Sequence, residues 1–274
     1  MIQIYILILL IAAACLYLFF LYPGKTRKER MLVFQQYRIA HRGLFDNTTS
    51  APENSLAAFQ KAVDAGYGIE LDVQLTRDNE VMVFHDFDLK RACGAEVKTA
   101  DCSLAMLQAH RLFSSDEQIP SFAEVLSQIR GQVPLIVELK CDPGSDYHAL
   151  CEKTAGYLDS YEGVFCIESF NPMIVRWFKQ NRPEFLRGIL STNFFMEQIP
   201  LSWSEKFVLT NCLTNFLTRP DFLAYDIRYR NQLSSRICTR LYRMVSVGWT
   251  VKNEDEYKKA GSWYDVVIFD SFLP

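Results

Sequence analysis

Residues 67–86 read Y-G-I-E-L-D-V-Q-L-T-R-D-N-E-V-M-V-F-H-D, from Tyr67 to Asp86. An apolar strand pattern opens the stretch and carries Glu70 and Asp72 one residue apart. Side chains alternate faces along a strand, so both carboxylates point to one side. A second apolar run, 81–84, follows after only T-R-D-N-E and delivers His85 and Asp86 at its end. A parallel crossover needs a dozen or more residues, so the two runs should form an antiparallel hairpin. Carboxylates are rarely buried in a sheet unless paired or bound to a metal. Taken alone, the pattern fits either a salt-bridged pair at a sheet edge or a site.

Working outward, the chain alternates short strands with amphipathic helices. A strand at Arg38-Ile-Ala-His41 ends in a glycine turn. Asn54 reads as the N-cap of a helix over 55–65, with Leu56, Phe59, Ala62 and Val63 on one face. A further helix is expected at 103–109, and Ser121-Phe-Ala-Glu124 has capping-box spacing for one ending near Ile129. Strands are expected at 135–139, 164–168, 186–190, 222–225, 244–250 and 266–269. With those near Ile39 and Leu71 they number about eight, the hairpin strand apart. Repeated βα units of that number point to a (β/α)8 TIM barrel over residues 37–274, an α/β fold; a doubly wound open sheet is the alternative. The 274 residues suffice for one such domain.

Ahead of the barrel, residues 4–22 are almost unbroken apolar sequence, long enough to cross a hydrocarbon core of about 30 Å at roughly 1.5 Å per residue. No Lys or Arg precedes the run and it is long for a signal peptide. Cys15 lies inside it, which also fits a lipoprotein cleavage site poorly. The expectation is a single transmembrane anchor over 1–22, then a juxtamembrane linker over 23–36. Lys25, Arg27, Lys28 and Arg30 place the barrel on the cytoplasmic side of the cell membrane. Eight scattered cysteines without a C-x-x-C pair argue against a zinc framework and suit a reducing compartment. A net charge of −3 offers no basic face for nucleic acid.

In a barrel, reactive residues gather at the C-terminal ends of the strands. His41 and Arg42 end the first strand, Glu70 and Asp72 lie on the second, His85 ends the hairpin, and Glu138 and Lys140 share a face at the end of the next. Three carboxylates beside Arg and Lys suggest a hard divalent cation, Mg²⁺ or Ca²⁺, and an anionic substrate, most simply a phosphate. Two histidines suit acid–base work near neutral pH. His110 and His148 read as ordinary surface or packing residues, Asp86 as a group that orients His85 or caps a turn, and Glu168 as a further acid near the site.

H-R-G at 41–43, P-E-N-S at 52–55, E-L-D-V at 70–73, H-D at 85–86 and E-L-K at 138–140 follow the order seen in glycerophosphodiester phosphodiesterases, which the chain from about residue 38 onward resembles. The resemblance implies a TIM barrel that hydrolyses glycerophosphodiesters to glycerol 3-phosphate and an alcohol. It also implies that Glu70, Asp72 and Glu138 hold the metal, Arg42 and Lys140 grip the phosphate, and His41 and His85 are the acid–base pair. In related enzymes the attacking hydroxyl is the substrate's glycerol 2-OH, giving a cyclic phosphate that water opens. Phe170 and Trp249, at expected strand ends, would wall the substrate pocket. The chain departs from the pattern in a longer loop over 44–51, in Lys252 after W-T-V, in a loosely matching close at 268–274, and in a short region over 85–119. These touch the alcohol side, so the head group stays open. A lysophospholipase D-like enzyme acting on a membrane lysolipid is the nearer alternative, and an inactive membrane-tethered binding barrel the more distant one.

Overall fold

The computed structural model describes residues 1–142, 144–270 and 272–274. Nine strands make up the sheet: β1 (Ile39–His41), β2 (Gly68–Leu75), β3 (Val81–Val83), β4 (Leu135–Leu139), β5 (Phe165–Ser169), β6 (Arg187–Ser191), β7 (Phe222–Asp226), β8 (Val245–Val251) and β9 (Val266–Phe269). Eight of them run parallel, and the pairing of β1 with both β9 and β2 closes them into a barrel. β3 folds back antiparallel on β2, the expected hairpin, with Val73 opposite Val83. The (β/α)8 barrel is therefore the observed fold, and the open sheet is excluded by the closing pair.

Register explains why the acids meet. Asp72 on β2 pairs with Glu138 on β4, which pairs with Glu168 on β5, so three neighbouring strands present a carboxylate at one level. Glu70 lies two residues before Asp72, on the same face, beside His41 of β1. Apolar side chains on the barrel's outer surface pack beneath the surrounding helices: Leu71 and Val73 share one buried cluster with the helix residues Phe59, Phe122 and Phe178. At Gly188 a Cβ would fall 2.1 Å from the Phe222 ring, so only glycine lets that ring fill the barrel interior.

The expected helices form with one difference. The capping box at Ser121 and Glu124 opens Phe122–Ile129, and Ser103 caps Leu104–Gln108. At the first helix, however, the cap is Ser55, whose side chain accepts from Ala58 N, and the helix is Leu56–Asp64. Asn54 stands one residue earlier at φ 56° and turns its side chain elsewhere. The region after β3 forms its own small core, in which Met82, Phe84, Leu89, Leu107 and Ile119 pack together.

An apolar helix, Ile2–Leu21, precedes the barrel. The stretch 23–36, expected as a polar linker, is packed against the protein. Met31 and Phe34 are fully buried against Ile39, Ile136, Phe222 and Val245, closing the N-terminal end of the barrel. Arg27 makes a two-pronged ion pair with Asp221, Nε at 2.8 Å and Nη2 at 2.5 Å.

Candidate active site

β1 ends at His41, and the chain then turns through Arg42 (φ 55°) and Gly43 (φ 84°). That turn directs the Arg42 side chain over the barrel mouth, where Nη1 lies 2.7 Å from Glu53 Oε1 and Nε 3.3 Å from Asp72 Oδ2. The Arg42 backbone N–H donates to Glu70 Oε2 at 3.1 Å. Asn54, through its left-handed backbone, donates from Nδ2 to Asp72 Oδ2 at 2.8 Å. P-E-N-S thus feeds a carboxylate and an amide to the site and only its serine to the helix.

Glu70, Asp72 and Glu138 each offer an oxygen within 4.8 Å of the others, and all three are buried. Lys140 Nζ sits 2.8 Å from Glu138 Oε1 and 3.4 Å from Asp72 Oδ1. Burial, then repulsion from Asp72 and Glu138, pushes the Glu70 carboxyl well above the usual range. Burial raises Glu138 despite Lys140, and burial with the Glu138 charge raises Glu168 further. Asp72 moves the other way: burial opposes ionisation, but Lys140, His85, Arg42 and His41 outweigh it. Among the described residues Glu168 Oε2 is buried without a hydrogen-bond donor, and Asp72 Oδ1 has only the Lys140 ammonium at 3.4 Å. Four carboxylates therefore face two fixed cations, Arg42 and Lys140. Oxygen donors, close spacing, unsatisfied lone pairs and surplus negative charge are the chemistry a hard divalent cation fits.

The two histidines flank this cluster, each backed by an acid. His41 Nδ1 lies 3.1 Å from Asp270 Oδ2, and its Nε2 3.8 Å from Glu70 Oε2. Burial and the adjacent Arg42 lower the His41 pKa below 6.5. His85 Nδ1 lies 2.6 Å from Asp86 Oδ1, and Asp86 also binds Arg91 Nε at 2.7 Å. Arg91 in turn holds Glu53 at 2.6 Å. Burial opposes ionisation of Glu53, but Arg91, Arg42 and Asn47 hold its pKa down to about 2. Gln74 Nε2 donates to the carbonyls of Phe84 and Asp86 at 2.8 Å, steadying the loop that carries His85. An acid on Nδ1 leaves Nε2 of each ring toward the mouth.

All nine residues expected at the site thus lie at the C-terminal end of the barrel. Trp249 on β8 and Phe170 after β5 meet edge to face at 5.5 Å, and Lys140 Nζ stands 5.9 Å from the Phe170 ring. Glu168 joins the acid cluster, whereas His148 is exposed on the helix Tyr147–Asp159. Sequence reading did not single out Glu53, Gln74, Arg91 or Asp270. Asp270 had a usable signal, an acid one residue past the last barrel strand. Ser271, in the same closing motif, lies outside the described residues. A cavity of about 940 Å³ opens at Glu138 and Lys140 and extends away from the histidines past Phe170, Trp249 and Phe194 to Leu209 and Leu217.

Residues 41–271 match the family model described as "Glycerophosphoryl diester phosphodiesterase family". A glycerophosphodiester phosphodiesterase of Caldanaerobacter subterraneus is 35% identical over 56% of this chain and 65% of its own length. A lysophospholipase D of Homo sapiens is 32% identical over 43% of the chain and 41% of its own length. The chain thus spans less than two thirds of either relative. Among solved structures, a phosphodiesterase of Oleispira antarctica in complex with the product sn-glycerol-3-phosphate superposes with a TM-score of 0.68 at 24% identity, over 85% of this chain and 92% of that one.

Proposed function

The chain belongs to the glycerophosphoryl diester phosphodiesterase family, and we propose that it is a divalent-metal-dependent hydrolase of glycerophosphodiesters, held on a membrane by its N-terminal helix. The observation that carries the reading is the buried Glu70–Asp72–Glu138 cluster with Arg42 and Lys140 at its edge. Those three acids would hold Mg²⁺ or Ca²⁺, which when bound supplies charge neutralisation for a phosphodiester. Arg42 presents a planar fork and Lys140 a point charge to the phosphate oxygens. One histidine takes the proton of the glycerol 2-OH as that oxygen attacks phosphorus; the other protonates the departing alcohol, leaving a cyclic phosphate. Water then opens the ring with the histidine roles reversed, giving glycerol 3-phosphate. Asp270 and Asp86 fix the ring orientations that this exchange needs.

The cavity favours a second reading of the substrate. Its walls beyond Lys140 are largely apolar, from Phe170 and Phe194 to Leu217, and its volume of about 940 Å³ exceeds what a glycerol head group fills. A lysophospholipid, which keeps a free 2-OH and adds one acyl chain, fits both ends of it, and one relative is named a lysophospholipase D.

The four basic residues after the helix support a cytoplasmic barrel. The deciding assay uses the full chain in detergent micelles and follows choline release from glycerophosphocholine and from lysophosphatidylcholine, each with EDTA, Mg²⁺ or Ca²⁺. Metal-dependent release from the soluble diester is the expected result. Release from the lysolipid alone moves the substrate to the second reading. A folded chain silent on both, with metal present, overturns the hydrolase.

A further inference from the structure

The N-terminal helix and the barrel touch along a path that fixes their relative direction. Tyr17 Oη donates to Asn211 Oδ1 at 3.1 Å, Asn215 Nδ2 donates to the Leu21 carbonyl at 3.3 Å, and Arg27 grips Asp221. From 17 to 27 the chain therefore descends in step with residues 211 to 221, and Asp221 adjoins the N-terminal start of β7. Followed backward, the helix runs toward the opposite end, the mouth that holds the site.

Above that mouth rises the excursion between β6 and β7. Tyr225 Oη donates to the carbonyls of Thr192 and Thr210, at 3.2 and 3.1 Å, and so pins both feet of the excursion at the top of β7. Between those feet, Phe195, Met196, Ile199, Trp203 and Phe207 are exposed, Trp203 at 70%. Trp203 and Phe207 stack with centroids 5.4 Å apart, and Phe195 lies 6.0 Å from Trp203, so the aromatics form one continuous outer face. The inner side of the same segment, through Phe194 and Val208, lines the cavity.

We propose that the segment 194–207 is a membrane-docking surface, its aromatic face bedded in the interface of the bilayer that the helix Ile2–Leu21 crosses. The proposal rests on the reading of that helix as a membrane span. Direction supports it. Residues 2–16 are all exposed, while Leu21 is buried on the barrel. At 1.5 Å per residue the exposed stretch rises roughly 22 Å beyond its contact with the barrel, so the bilayer it enters lies over the mouth. An interfacial apolar element sits about 5–10 Å deep, the level at which an aromatic face beside the mouth meets that bilayer. Trp suits that layer, and Trp and Phe together suit the buried face of an interfacial element. A second copy or a soluble protein on this face would have to occupy the space the helix direction gives to lipid. Docked in this way, the cavity opens beside the lipid surface, and a membrane-resident diester reaches Lys140 without crossing bulk water.

The test uses the full chain in phosphatidylcholine vesicles with plain or brominated acyl chains, reading tryptophan emission for the native protein and for Trp203→Phe, with flotation in parallel. Brominated lipid is expected to quench the native emission, and the largest share of that quenching should vanish in Trp203→Phe while both proteins float. Equal quenching in the two, with both floating, overturns the docking surface and leaves the span intact. Failure to float overturns the span itself. A Trp203 emission that responds to protein-to-lipid ratio and not to bromine assigns the face to a second copy and overturns the proposal.

Discussion

The two ends of the barrel are built from opposite materials. At the C-terminal end four buried carboxylates, two cations and two histidines crowd together, with Glu70 and Glu168 each repelled by Glu138. At the N-terminal end Met31 and Phe34 seal the barrel with apolar volume, and Arg27 and Asp221 beside them form an ion pair. One end concentrates charge at the strand ends, and the other supplies apolar packing. The contrast teaches that substitutions at the two ends should separate activity from stability.

The largest effect expected is on turnover. His41→Ala removes one of the proposed acid–base groups and should lower kcat by about 10²–10⁴-fold, with circular dichroism unchanged. Near-native kcat would sink the mechanism. At the other end, Phe34→Ala leaves a cavity under the barrel and should cost about 3–5 kcal/mol of stability, read by urea unfolding, while kcat/KM of the folded fraction stays native. A fragment beginning at Gln36 loses Met31, Phe34 and the Arg27 partner of Asp221 together, and should fail to fold as a soluble unit. A stable, active fragment would return 23–36 to the status of a linker.

This contrast was half legible in the sequence. The mouth could be read because its residues are chemically unlike a strand: Glu70, Asp72, Glu138 and His85 interrupt apolar runs at fixed spacings. The register that stacks Asp72, Glu138 and Glu168 follows from parallel pairing once the strands are placed. The sealed end was not legible, because Met31 and Phe34 lie among K-T-R-K-E-R and Q-Q, where local composition reports polarity. Their burial is decided largely by Ile136, Phe222 and Val245, each more than a hundred residues away in sequence. Asn54 misled for a related reason: Asn and Ser are both good N-caps, and only the contact with Asp72 shows which residue was free to cap.

Removing the proposed metal should expose the strain at the mouth. Glu70, Glu138 and Glu168 have folded pKa values raised above the ordinary 4.5, so the folded chain holds protons that the unfolded chain releases. Stability from these groups is greatest near pH 4.5 and is lost as pH rises through the raised folded values. His41, lowered from 6.5, works in the opposite sense only below that value. From pH 4.5 upward these carboxylates should lower the melting temperature in EDTA as pH rises, with His41 opposing them only below 6.5, and Mg²⁺ or Ca²⁺ should remove the fall. At a hundredfold excess over its Kd the ion adds about 2.7 kcal/mol. A flat EDTA profile, or no rise with either ion, would show that the acids are neutralised from within the chain.

The smallest effect distinguishes the two histidines from each other. His85 is backed by Asp86, itself tied to Arg91, whereas His41 is backed by Asp270 just past the last strand and sits deeper, its side chain 17% exposed against 30% for His85. Asp270→Asn keeps the volume and a polar partner for Nδ1 but loses the charge that supports protonation of the His41 ring. Burial and Arg42 already lower that pKa, so the substitution should lower it further. If His41 must be protonated in the limiting step, the alkaline limb of the kcat profile moves to lower pH and kcat falls by about tenfold or more, short of the loss in His41→Ala. If His41 acts unprotonated, the acid limb moves to lower pH instead. A profile that does not move, with kcat unchanged, would show that Asp270 is not needed to position His41.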